Sequence, residues 1–198
     1  MANIITLSRI FLAFVALGML FYKREFYAAS LVLTVFVMWF DGLDGYVARK
    51  FNESSKFGAL LDIVGDRIVE NLYWLVFCTL GWINVLIPAV VLTRVIITDA
   101  IRSLALSQGY TAFGEKTMQQ NPIARFIVAS NFSRGGYAVT KAIAFLFLIA
   151  GNLMPYRGEE VILKIGEVCA IIATVFCVVR GLPVVFESKR FFEDDNNK

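Results

Sequence analysis

Four aspartates lie close together between long apolar stretches: Asp41, Asp44, Asp62 and Asp66. Asp41 and Asp44 are three residues apart, and Asp62 and Asp66 are four apart, so on helices each pair would occupy one face about one turn apart. Two antiparallel helices with a short connection would bring all four into one small volume. Carboxylates beside a membrane are costly without a cation, and Mg²⁺ prefers oxygen ligands. The spacing therefore predicts one divalent ion, or two that clamp a phosphoryl displacement.

Small residues and one arginine surround these aspartates. Gly45, Ala48 and Gly58 leave room between the two predicted helices for a flat polar group such as a nucleotide. Arg49, at the predicted membrane boundary, can hold a phosphate by charge-assisted hydrogen bonds. Taken singly, such glycines usually pack membrane helices and such arginines usually anchor span ends. Helix packing does not require four acids at these offsets, so the whole set favours an active site.

The lack of histidine and the positions of the cysteines limit which side chains can act as a general base or bind a metal. The chain contains no histidine, so a general base must be a carboxylate, a lysine or a tyrosine, and a histidine-ligated metal is excluded. Cys78, Cys169 and Cys177 all lie in apolar stretches. We expect them to be inert core thiols rather than disulfides or zinc ligands.

The composition predicts an all-α integral membrane protein with a single domain over residues 1–198. Apolar residues make up 58% of the sequence, and the mean hydropathy is +0.68. We expect six transmembrane helices, preceded by a short amphipathic surface helix over residues 1–9 that turns Thr6 and Arg9 toward water. The alternative is that residues 1–9 are the frayed end of the first span. We also expect a short helix at Pro122–Ala129 and a frayed tail at 188–198. The predicted spans cover about residues 8–22, 27–48, 56–80, 82–106, 137–153 and 161–179.

The distribution of basic residues predicts the orientation in the membrane. The net charge is only +3, but Lys and Arg crowd three regions: Arg49–Lys56, Arg102–Lys141 and Arg180–Arg190. By the positive-inside rule these regions are cytoplasmic. The aspartates would then face the cytoplasm from the cell (plasma) membrane.

The spacing as a whole resembles, at every fixed position, the signature of the CDP-alcohol phosphotransferases. It reads Asp41-x2-Asp44-Gly45-x2-Ala48-Arg49-x8-Gly58-x3-Asp62-x3-Asp66. The resemblance implies transfer of a phosphatidyl group from a CDP-diacylglycerol-like lipid to an acceptor hydroxyl, with release of CMP. It also implies two Mg²⁺ or Mn²⁺ ions, a homodimer among membrane lipids, and no nucleic-acid partner.

The same resemblance implies roles for individual residues. The metal ligands would be Asp41, Asp44, Asp62 and Asp66, and Asp66 would also be the base that deprotonates the acceptor. The CDP pocket would be formed by Asp44, Gly45, Ala48, Arg49 and Gly58.

The acceptor is indicated by a second, shorter likeness. Thr93–Arg102 resembles the fourth span of phosphatidylglycerophosphate synthases, although Val95 stands where those enzymes commonly have an acid. A phosphorylated acceptor, either glycerol-3-phosphate or inositol phosphate, would be held by Arg94, Arg102, Arg134 and Lys141. Arg134 and Lys141 could equally be loop and interface charges, and we expect Asp99 simply to pair with Arg102.

Two other classes of membrane protein use intramembrane acids. A divalent-cation transporter is the non-enzyme alternative, but it needs acids at the bilayer midplane on several spans. Membrane prenyltransferases also surround Mg²⁺ and diphosphate with aspartates, in two separated motifs. This chain has one cluster, at the predicted cytoplasmic edge of two spans.

Overall fold

The computed structural model describes residues 2–50, 56–108, 121–153 and 159–189, without the side chains of residues 2, 41–50, 56, 59, 129, 131 and 159. All regular structure in these ranges is helical. The helices are α1 (Ala2–Tyr22), α2 (Tyr27–Lys50), α3 (Lys56–Thr79), α4 (Leu86–Ser107), α5 (Pro122–Ala129), α6 (Asn131–Leu153) and α7 (Glu159–Glu187). A short 3₁₀ helix, Arg24–Phe26, joins α1 to α2.

Most predicted helix positions are confirmed, and the two starts that differ, one later and one earlier than predicted, have local causes. The helix at Pro122–Ala129 was predicted at the same bounds, whereas α4 starts about four residues after its predicted start. It begins after Asn84, whose Oδ1 accepts a hydrogen bond from Leu86 N at 2.9 Å. α6 begins about six residues before its predicted start, because the Ser130 hydroxyl accepts a hydrogen bond from Ser133 N at 3.1 Å and caps the helix.

The N-terminal segment differs from its prediction. Residues 2–22 form one continuous helix, with no break between a surface helix and a span. Ile4 and Leu7 are exposed, as expected for lipid-facing residues. Thr6 and Arg9 are only 2% and 1% exposed, so the prediction that they face water is wrong. An amphipathic pattern identifies the polar face of a helix but does not tell whether water or protein covers it.

Three segments of the described helices are long and apolar enough to cross a membrane: Asn3–Tyr22, Pro122–Leu153 and Glu160–Glu187. Many large apolar side chains on these helices are exposed, among them Phe11, Phe132 and Val175. Exposure of this extent is typical of helices that face lipid.

The chain divides into two compact units, each with its own core. The first comprises Met1–Pro88 and Ala142–Ala170, and the second comprises Ala89–Lys141 and Ile171–Lys198. In the first unit α1 packs against α2 and α3. Its core contains an aromatic cluster in which the ring of Phe145 stacks on Tyr73 at 4.8 Å and meets Trp74 edge-on at 4.7 Å.

Hydrogen bonds join the first three helices inside this unit. The Tyr73 hydroxyl on α3 donates to Thr34 Oγ1 on α2 at 2.9 Å, and Thr34 in turn donates to the Ser30 carbonyl at 2.8 Å. The Ser30 hydroxyl donates to the Ala16 carbonyl of α1 at 2.8 Å. Because all of these groups are buried, the bonds fix the register of the three helices.

Two glycines in this unit should respond to alanine in opposite directions. A Cβ on Gly166 would lie 3.0 Å from the backbone nitrogen of Leu148, whereas a Cβ on Gly18 meets nothing within 4 Å. We expect Gly166→Ala to lower the free energy of unfolding by about 1–3 kcal/mol through overpacking. Gly18→Ala should raise it by about 0.5–1 kcal/mol through helix propensity. Thermal unfolding in detergent measures both, and equal shifts would contradict the close approach at Gly166.

Candidate active site

Two of the four aspartates have described side chains, and both lie on α3. Asp62 and Asp66 are one turn apart and half-buried, and Gly58 lies one turn before Asp62. The Asp66 side chain is 44% exposed, so a ligand can reach its carboxylate. Within the part of the chain whose side chains are described, no three acidic or cysteine side chains form a metal-binding group.

The remaining predicted metal and CDP residues lie on the last turns of α2. The helix runs through residues 41–50, but the side chains of Asp41, Asp44, Gly45, Ala48 and Arg49 lie outside the described residues. The hydrogen bond between Thr34 on α2 and Tyr73 on α3 indicates which part of α3 lies beside these residues.

The register of α2 and α3 brings the two acidic segments to one level. Position 41 comes seven residues after Thr34, and Asp66 comes seven residues before Tyr73. Each interval corresponds to about 10 Å of helix. Residues 51–55 alone connect α2 to α3, so the two helices run in opposite directions. We therefore infer that position 41 of α2 lies at about the level of Asp66 of α3, and position 44 at about the level of Asp62.

An arginine that was not among the predicted site residues contacts Asp66. Arg9 Nη2 on α1 donates to Asp66 Oδ1 at 2.5 Å, although the arginine side chain is only 1% exposed. A buried guanidinium is tolerated only with a bonded counter-charge. Nothing in the amphipathic pattern of residues 3–9 indicates this partner, because the partner is distant in sequence.

The second unit contains a group of positive side chains on α4, α6 and α7. Arg94 on α4 packs against Gly181, the neighbour of Arg180 on α7. The Arg180 guanidinium lies 5.5 Å from the centre of the Tyr137 ring, and Lys141 Nζ lies 5.3 Å from the same centre. Two of the predicted acceptor residues, Arg94 and Lys141, thus lie near Arg180, which was not among the predicted site residues.

Two of these arginines have a buried nitrogen without a hydrogen-bond acceptor among the described residues: Arg94 Nε and Arg180 Nε. Gly181 makes room for the first, because a Cβ there would lie 2.8 Å from Arg94 Cγ and 3.0 Å from Arg94 Nε. Arg180 Nη2 also donates to the Val128 carbonyl near the end of α5, at 3.3 Å. Half-buried guanidinium groups whose donors lack an acceptor favour an anion beside them.

The other charged residues of this unit have more ordinary surroundings. Arg102 Nη1 lies 3.5 Å from Asp99 Oδ1, so the predicted pairing of these two residues is confirmed. Arg134 is exposed in the first turn of α6, one turn before Tyr137.

Comparison with known proteins identifies the family of this chain. A family model described as CDP-alcohol phosphatidyltransferase matches residues 1–186. The chain belongs to this family. Its members are membrane enzymes, which agrees with the apolar helices described above.

Individual relatives in the CDP-alcohol phosphatidyltransferase family differ in the acceptor that their names state. The chain is 35% identical to a CDP-diacylglycerol–glycerol-3-phosphate 3-phosphatidyltransferase of Pseudomonas fluorescens over 76% of this chain and 82% of that protein. An Aquifex aeolicus protein of the same name is 41% identical over 33% of this chain and 36% of its own length. A CDP-diacylglycerol–inositol 3-phosphatidyltransferase of Arabidopsis thaliana is 41% identical over 33% and 28% respectively. The matches thus span about a third of the last two proteins.

The positive group in the second unit should bind inorganic phosphate. At about ten times its Kd, phosphate should raise the apparent Tm of the purified protein by roughly 3–6 °C. Arg94→Gln and Arg180→Gln should each remove most of this shift, because they remove half-buried donors, whereas the exposed Arg125 provides the control variant Arg125→Gln. An undiminished shift in both arginine variants would contradict an anion site here.

Proposed function

We propose that this protein transfers a phosphatidyl group from CDP-diacylglycerol to glycerol-3-phosphate and releases CMP. The observation that carries the proposal is the α2–α3 register, which brings positions 41 and 44 level with Asp66 and Asp62. That level arrangement is what a shared site for the motif's four carboxylates requires. Family membership favours this enzyme over the transporter and prenyltransferase alternatives.

The carboxylates suit two divalent ions. Asp62 and Asp66 offer hard oxygen donors one turn apart, and Asp66 is open to solvent, so the donor chemistry fits Mg²⁺ or Mn²⁺. We assign Asp41, Asp44, Asp62 and Asp66 as ligands. The ions, when bound, supply positive charge that neutralises the diphosphate and the departing CMP.

The protein residues then perform binding and proton transfer. Gly45, Ala48 and Gly58 would leave space for the CDP group, and Arg49 would hold one of its phosphates. Asp66 would take the proton from the acceptor hydroxyl. The hydroxyl oxygen forms a bond to the phosphorus that carries diacylglycerol, and the bond from that phosphorus to the CMP oxygen breaks.

The acceptor phosphate is assigned to the positive residues of the second unit: Arg94, Arg102, Arg134 and Lys141. To this predicted set we add Arg180, which lies over Tyr137 as Lys141 does. Glycerol-3-phosphate is favoured by the Pseudomonas relative, which aligns over most of its length. Inositol phosphate is the second candidate, because these cations would hold either phosphate and relatives named for inositol also match.

The membrane arrangement that accompanies this function has six spans, formed by α1–α4, α6 and α7. The basic regions would place the carboxylates on the cytoplasmic side of the plasma membrane, where a phosphorylated acceptor is available. The acyl chains of the donor would stay in the bilayer. We further propose that the active form is a homodimer.

Release of CMP by purified protein in lipid nanodiscs tests the function. With CDP-diacylglycerol and Mg²⁺, glycerol-3-phosphate should support release, and inositol phosphate, inositol and serine should support much less. Asp66→Asn should reduce kcat by at least about 100-fold, since it removes the base, and should leave binding of the CDP-lipid largely intact.

A different result of this assay would contradict each part of the proposal. Release with inositol phosphate alone would reassign the acceptor. Release only with an unphosphorylated acceptor would remove the role of the arginines. Wild-type release by Asp66→Asn would contradict the assignment of the base.

A further inference from the structure

The ion pair between Arg9 and Asp66 points to a role for the first helix in catalysis. Resting on the proposed function, in which Asp66 is the base, we propose that Arg9 is a positioning residue that fixes the orientation of the Asp66 carboxylate. The contact runs from Arg9 Nη2 to Asp66 Oδ1 at 2.5 Å. It joins α1 to α3 across 57 residues of sequence.

The two partners differ in their access to solvent, which suits this role. Arg9 is 1% exposed, whereas the Asp66 side chain is 44% exposed. The arginine therefore holds the carboxylate from the protein side and leaves it within reach of a substrate. A guanidinium is planar, with donors in a fixed fork, so it restricts the orientation of the carboxylate more than an ammonium group does.

The close approach of α1 to α3 at this level depends on Gly65. A Cβ on Gly65 would lie 2.9 Å from Thr6 Cγ2 and 3.4 Å from Arg9 Nη2. Thr6 is buried one turn before Arg9 on the same face of α1. Its β-branched side chain has little freedom to move away, so a larger residue at position 65 would push the two helices apart.

Helix α1 is itself firmly placed, so it can position another group. Ala13, Ala16, Leu17 and Leu20 are buried on its inner face, and the Ala16 carbonyl accepts a hydrogen bond from Ser30. Arg9 thus extends from a packed helix rather than from a loop. A base held by such an element keeps the geometry that proton transfer requires, and a displacement of about 1 Å can cost about 100-fold in rate.

The test compares Arg9→Gln and Arg9→Lys with Arg24→Gln, all purified in nanodiscs. Arg24 is an exposed arginine that donates to the Asn152 carbonyl at 2.8 Å, so it controls for loss of a charge. The readouts are kcat per folded molecule, KM for CDP-diacylglycerol and for the acceptor, and Mn²⁺ affinity by electron paramagnetic resonance. Asp66→Asn is measured in parallel.

We expect Arg9→Gln to lower kcat by about 10- to 100-fold with both KM values within about twofold of wild type. Arg9→Lys should restore part of kcat because it keeps the charge, and Arg24→Gln should match wild type. If Arg9→Gln does not fold, Gly65→Ala, which keeps every charge, replaces it and should lower kcat in the same way.

Three results would overturn the proposal. One is a wild-type kcat per folded molecule in Arg9→Gln while Asp66→Asn is inactive. If Gly65→Ala has replaced Arg9→Gln, the same result in Gly65→Ala counts. Another is tighter Mn²⁺ binding in Arg9→Gln with unchanged or higher kcat, which would make Arg9 a competitor of the metal. The third is an Arg24→Gln variant that loses as much kcat as Arg9→Gln. Activity in Asp66→Asn would instead refute the assigned base, whatever Arg9 does.

Discussion

A buried positive charge constrains the first half of this protein. Arg9 is almost fully removed from solvent, and its guanidinium is stabilised by the carboxylate of Asp66. Removing either partner would leave a costly charge or an empty polar site between two helices. The contact also explains why Gly65 and Thr6 pack so closely, since the ion pair requires α1 to approach α3. Helix α1 and the Asp66 carboxylate are thereby held by one interaction.

The second unit also contains partly buried positive charges. Arg94 and Arg180 are half-buried, and each has a buried nitrogen without an acceptor among the described residues. Gly181 leaves space that the Arg94 side chain occupies. Donors of this kind can bind an anion, which agrees with the proposed phosphorylated acceptor. The α3 aspartates and this group of arginines thus lie in separate compact units.

The sequence predicted what local periodicity and spacing determine. The all-helical class, the short helix α5 and the pairing of Asp99 with Arg102 followed from apolar periodicity and i, i+3 spacing. The two α3 carboxylates lie as their spacing indicated. Long-range contacts were not predictable in this way. The amphipathic pattern around Arg9 is the same whether water or α3 covers its polar face. Arg180 was interpreted as a charge that sets the topology, because its neighbours on α4 and α6 are distant in sequence.

Binding of Mn²⁺ tests the central claim, that the aspartates of α2 and α3 form one metal site. Electron paramagnetic resonance should show two ions bound per chain in the wild type and an affinity at least about tenfold lower in Asp62→Asn. Asp99→Asn, which removes a carboxylate paired with Arg102, should bind Mn²⁺ like the wild type. Equal Mn²⁺ affinity in the wild type and Asp62→Asn would contradict the account.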